Sequence, residues 1–235
     1  MRKDQKLLLF ASLASLAIWM VPFLRPFLLP LIYFNTHVHE ICHALTAFAT
    51  GGSADSIQVF ANGSGVTWTR GGSGLLISSA GYVGSAIFGG LMIANSRNEK
   101  VARRTLWIVF GVLLTLSILL LRGDLVGVIS GILWIATVGA LAKFAKKEWV
   151  VFSTQFLGAS LALQSMQAFL TLMNLSVDSN AQTDAQNLAD ATYIPAPIWA
   201  TGWLALSIVI LVFSLRTAWR PAVKSNPLGT LGSGK

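Results

Sequence analysis

Charge is what this sequence has least of: 11% of its 235 residues are Asp, Glu, Lys or Arg, and only nine are acidic. A soluble globular chain carries about 25% charged residues, and a disordered chain is poor in apolar ones, so both classes are excluded. Cysteine is limited to Cys42, which rules out an intrachain disulfide and any cysteine-based zinc cluster. Histidine is limited to three, so any nitrogen-ligated metal site must draw on His37, His39 and His43. What the chain has in abundance is apolar residues, at 54%, with a mean hydropathy of +0.66.

These apolar residues fall in runs lacking Lys, Arg and Asp, at about Leu7 to Leu24, Phe27 to Ala49, Gly74 to Asn95, Thr105 to Leu121, Leu125 to Ala142, Trp149 to Met173 and Ile198 to Leu215. Each is roughly long enough to cross a ~30 Å hydrocarbon layer as a helix. The first has a basic start but no convincing cleavage site, and is kept as a retained helix. The net charge of +8 does not point to nucleic acid, because the cations sit in the short segments between runs. Arg97, Lys100, Arg103 and Arg104, then Lys143, Lys146 and Lys147, then Arg216, Arg220 and Lys224, follow the positive-inside pattern and fit the cytoplasmic side. A cytoplasmic N-terminus would put three crossings before Arg97 and break that pattern, so either one early element is re-entrant or the N-terminal charges are overruled. The expected fold is an all-α polytopic membrane protein of about six to seven transmembrane helices with one small membrane-associated β-hairpin. A single domain is expected over residues 1-220, followed by a disordered tail over 221-235.

Within the second run, His39-Glu40-Ile41-Cys42-His43 spells H-E-x-x-H. On a helix His39 and His43 lie one turn apart on one face and can bind one Zn²⁺, while Glu40, about 100° round, can take the proton of a water at the metal. Burying three ionisable groups in an apolar helix is costly without a compensating metal or hydrogen bonds, so chance is a poor explanation. A polar packing cluster or proton relay is the competing explanation. His37 points about 200° from His39 and is expected in packing or at the surface. Cys42 is expected to be a buried packing residue.

Gly51 to Gly74 holds seven glycines and two β-rich runs around Asn62-Gly63-Ser64-Gly65, the pattern of a β-hairpin. It should pack on the motif helix or the interface, serving as a connector or as an edge to which an extended substrate adds. Ser78 to Gly90 has small residues at three- and four-residue spacing, which predicts close packing on the motif helix. Thr105 to Ala142 is expected to be scaffold.

A catalytic zinc usually has a third protein ligand and one open position. Asp4, Asp55 and Glu99 lie in tails or connectors, Asp124 pairs naturally with Arg122, and Glu148 belongs to a basic turn. Asp178, Asp184 and Asp190 remain, in the polar loop Asn174 to Pro195. Asp184 is preferred because Thr183 can cap a short helix that would hold it rigidly, although an acidic residue there also suits the helix dipole without any metal.

Taken together, His39 to Leu45, Thr50-Gly51-Gly52, Asn62 to Thr67, Ala80-Gly81-Tyr82-Val83-Gly84, Thr183-Asp184-Ala185, Leu188-Ala189 and Ile194-Pro195 resemble the site-2-protease-like intramembrane zinc metallopeptidases, in their compact peptidase M-fifty-B-like branch. The resemblance spans roughly Phe27 to Trp203. It implies zinc held by His39, His43 and Asp184, Glu40 as general base, and a membrane-embedded protein or peptide as substrate within the lipid bilayer, with no nucleic acid. A bacterial inner membrane would suit such a chain. The Asn-Pro-Asp-Gly-like and Leu-Asp-Gly strings that carry the third ligand in better-studied site-2 proteases do not occur here. A zinc-binding scaffold or regulator without proteolysis, and more remotely a transporter, are the alternatives.

Overall fold

A computed structural model describes residues 3–20, 25–175 and 183–220. In chain order the elements are α1 (Lys3–Met20), α2 (Arg25–Ala49), the strands β1 (Ser53–Val59) and β2 (Gly65–Arg70), α3 (Gly74–Asn95), α4 (Glu99–Leu120), α5 (Leu125–Phe144), α6 (Lys147–Leu175), α7 (Asp184–Thr192) and α8 (Ala196–Trp219). Among the described residues four helices, α3, α4, α5 and α8, are long and apolar enough to cross a membrane. Their outward faces carry large exposed apolar side chains such as Ile108, Ile118, Leu133 and Phe213, as expected of surfaces facing hydrocarbon rather than water. Residues 221-235 and Asp178 lie outside the described residues, as do 21–24.

Glycines on α3 let three neighbours approach closely, and so its small-residue stripe serves more than the motif helix. A Cβ at Gly84 would lie 3.0 Å from Cys42 Sγ on α2, one at Gly89 would meet Leu161 on α6 at 2.9 Å, and one at Gly90 would meet Ser214 on α8. Cys42 is accordingly a buried packing residue. Helices α2 and α3 run antiparallel, since Thr50 Oγ1 accepts from Ser73 N at 3.1 Å while the imidazole of His43 reaches the carbonyl of Ile77.

The hairpin forms as the glycine pattern predicts. Val59 pairs with Gly65 and Ser53 with Arg70, and a bulge interrupts the register between Ala54 and Ser56. Gly63 takes φ +84° in the turn, where Asn62 Oδ1 accepts from the Ser64 amide. One face of α2 ties the turn down: Tyr33 donates to the carbonyl of Ala61 at 2.7 Å, and Thr36, three residues on, donates to Gly63 at 2.7 Å. On its other side β1 accepts the Arg122 amide at the Ile57 carbonyl, 2.8 Å away. Strand β1 therefore has partners on both edges.

Asp124 corrects the expected pairing with Arg122. Its Oδ1 accepts the Gly127 amide at 2.8 Å as the N-cap of α5, and its Oδ2 accepts the Ala61 amide at 2.8 Å. These two amides hold its carboxyl below the usual carboxylate range. Backbone amides without partners claim a carboxylate more strongly than an exposed cation can, and Arg122 instead donates to the carbonyls of Leu119 and Leu121.

The basic clusters gather at one end of the bundle. Arg103 donates to the carbonyls of Ala142 and Ala145 at the end of α5, and Arg97 to that of Thr217 at the end of α8. At the other end α7 stops at Tyr193, which has φ +60° and is 94% exposed. A left-handed conformation is costly for a side chain with a Cβ, so Tyr193→Gly is expected to stabilise the protein by about 1 kcal/mol. Thermal unfolding in detergent should show a midpoint about 2–4 °C higher.

Candidate metal centre

The two motif histidines project from α2 toward the first turns of α3 and the N-terminus of α7. His39, Glu40 and His43 are all buried, and one ligand atom from each lies within 4.8 Å of the others. Asp184 comes nearer to the imidazoles than that: its Oδ2 stands 3.0 Å from His39 Nε2 and 3.4 Å from His43 Nε2. Among the expected third ligands, then, the structure brings Asp184 to the pair. Asp190, two turns along α7, accepts instead from Gln186 at 2.7 Å on the exposed face.

Local rules place Asp184 where it is. Thr183 caps α7, its hydroxyl accepting from the Gln186 amide at 3.2 Å, and Ala185 and Leu188 bury the helix against Tyr82, Val83, Ala196 and Trp203. Burial alone would raise the Asp184 carboxyl, but the His43 and His39 rings, when protonated, outweigh it through their charge and hydrogen bonds and hold the group well below the usual carboxylate range.

His43 Nδ1 donates to the carbonyl of Ile77 at 2.6 Å. A carbonyl only accepts, so Nδ1 carries the hydrogen, and in the neutral ring the lone pair of Nε2 faces Asp184. His39 is held differently. Among the described residues its Nδ1 is buried without a hydrogen bond, and its ring is oriented by Tyr82, packed edge-on at 4.5 Å and itself stacked on Trp203 at 5.2 Å. Trp203 is in turn fixed by its indole N–H donating to Ser79 at 3.2 Å.

Two nitrogens and one carboxylate oxygen thus converge on a space that Gly81 keeps open, since a Cβ there would collide with His39 and stand 2.6 Å from His43 Nε2. That donor set, with one histidine tautomer already fixed, fits a borderline cation such as zinc. Glu40 is engaged from another side, where Thr67 on β2 donates to its Oε2 at 2.7 Å. His37 faces away, donating from Nε2 to Ser130 on α5 at 3.0 Å while Ser130 donates on to the Gly127 carbonyl; it is a packing residue. The Ile77 carbonyl, Tyr82, Trp203 and Thr67 were not foreseen as parts of this site.

A family model described as Peptidase M50B-like matches residues 8–214, nearly the whole chain. Comparison with curated proteins and with solved structures returned no match. The chain belongs to the Peptidase M50B-like family, and with four membrane-length apolar helices among its described residues it is an integral membrane protein of a peptidase family.

Proposed function

We propose that this member of the Peptidase M50B-like family is an intramembrane zinc metallopeptidase that hydrolyses peptide bonds of membrane-embedded protein substrates. The observation that carries this reading is the approach of Asp184 Oδ2 to both motif imidazoles, at 3.0 and 3.4 Å, beside a buried glutamate that is not needed as a ligand. His39, His43 and Asp184 would hold the ion, which when bound supplies Lewis acidity to the scissile carbonyl and to the attacking water. Glu40 takes a proton from that water and passes it to the departing amine, so that one group serves as base and then as acid. Burial of Glu40 and both histidines limits access of bulk water to the reacting atoms.

Strand β2 lies against Glu40 through Thr67, and among the described residues its outer edge has no backbone partner. A substrate segment unwound from its helix would pair there, its peptide groups held extended beside the base. The chain works as one domain over residues 1-220, with its basic end toward the cytoplasm of a bacterial inner membrane.

The test uses the full chain in detergent, stripped of metal and then titrated with zinc, with fluorescein-labelled β-casein as an extended polypeptide probe. Cleavage should appear with zinc, disappear with chelator and stay absent in His43→Ala. Equal cleavage with and without chelator, or none by the folded, zinc-loaded protein, would reject the reading.

A further inference from the structure

The geometry points to Thr67 as a positioning residue for Glu40, with Gly65 leaving the second carboxylate oxygen uncovered; this rests on the general-base reading of Glu40. Residues 65 and 67 lie two apart on β2 and therefore face the same way, toward α2. Thr67 Oγ1 is 2.7 Å from Glu40 Oε2 and 3.0 Å from the Glu40 carbonyl oxygen. A hydroxyl has one proton to give, and the shorter, charge-assisted contact to the carboxylate takes it. At Gly65 a Cβ would stand 2.6 Å from Oε1 and 2.7 Å from the methyl of Thr36. The strand thus holds one oxygen of the carboxylate and leaves the other clear.

This arrangement matters because a glutamate has three side-chain torsions, and a base that wanders among rotamers spends little time within reach of the water's proton. Thr67 removes that freedom from outside the helix. The strand is itself held rigidly, through the turn contacts of Tyr33 and Thr36 on the same face of α2. Among the described residues the Thr67 hydroxyl bonds to Glu40 and not to the imidazoles or Asp184, so its loss should spare the metal and slow the proton transfer.

The experiment compares zinc-reconstituted full-length wild type, Thr67→Val, Thr67→Ser and Glu40→Gln with labelled β-casein, reading kcat, KM and the zinc-to-protein ratio of each. Thr67→Val, equal in shape but without the hydroxyl, is expected to lose about 30-fold in kcat, or about 2 kcal/mol at 1.36 kcal/mol per tenfold, with KM within about twofold and zinc unchanged. Thr67→Ser should recover to within about threefold of wild type. The proposal is overturned if Thr67→Val keeps the wild-type kcat while Glu40→Gln is inactive, if its loss is in KM or zinc, or if serine does no better than valine. If Glu40→Gln turns over like wild type, or wild type cleaves nothing, the general-base reading fails first and Thr67 falls with it.

Discussion

Glu40→Gln is expected to keep its zinc and lose about a thousandfold in peptide-bond cleavage, the middle of the range for removing a general base. The two halves of this result have separate causes. Zinc is retained because Asp184 already supplies a carboxylate to the histidine pair, while Glu40 is turned toward Thr67 on β2. Glutamine keeps the shape of the side chain and an oxygen to accept from Thr67, so the packing of the hairpin on α2 should survive. Turnover is lost because an amide cannot take the proton of a water at neutral pH. Initial rates on labelled β-casein, with zinc measured on the same preparation, separate the two. A variant that cleaves at the wild-type rate would remove Glu40 from the chemistry, and one that loses its zinc would make Glu40 a ligand.

Gly81→Ala is expected to empty the site altogether. In an exposed helix this change would stabilise by about 1 kcal/mol, because alanine loses less backbone freedom. Here the added methyl has no room: it would collide with the His39 ring and stand 2.6 Å from His43 Nε2. Both rings must turn, and with them the atoms that face Asp184. Zinc content and cleavage should fall together to background while α3 still forms. Gly84→Ala, one turn along the same helix, is the comparison. Its methyl meets only the side chain of Cys42, with Sγ at 3.0 Å, so it should cost stability but spare most of the zinc. A fully loaded, active Gly81→Ala protein would show that the imidazoles do not occupy the positions described.

The parts of this site that were legible in the sequence are those governed by local rules. H-E-x-x-H places two imidazoles on one helix face whatever surrounds them, glycines around Asn62 call for a turn, and Thr183 followed by Asp184 announces a capped helix. The rest depends on tertiary contacts for which a chain offers weak signals. The partner that fixes the tautomer of His43 is a backbone carbonyl, at Ile77, which any residue type could provide. Tyr82 and Trp203 orient His39 across two helices that are more than a hundred residues apart in the chain. Gly81 was visible as one member of a small-residue stripe, but spacing alone could not tell a glycine that admits a helix from one that admits two imidazoles. Gly65-Val66-Thr67 did carry a usable signal, since strand alternation puts its first and third residues on the face that meets α2. Asp124 departs from the expected pairing with Arg122 because the free amides at the start of α5 claim its carboxylate, and an aspartate just before an apolar helical run is itself a capping signature.

The most direct test of the proposed three-ligand centre is the zinc-to-protein ratio of the detergent-purified full chain, measured by elemental mass spectrometry for wild type, Asp184→Ala and Asp190→Ala. One zinc per chain in wild type and in Asp190→Ala, with loss in Asp184→Ala, is the predicted result. Zinc retained undiminished in Asp184→Ala, or absent from correctly folded wild type, would contradict it.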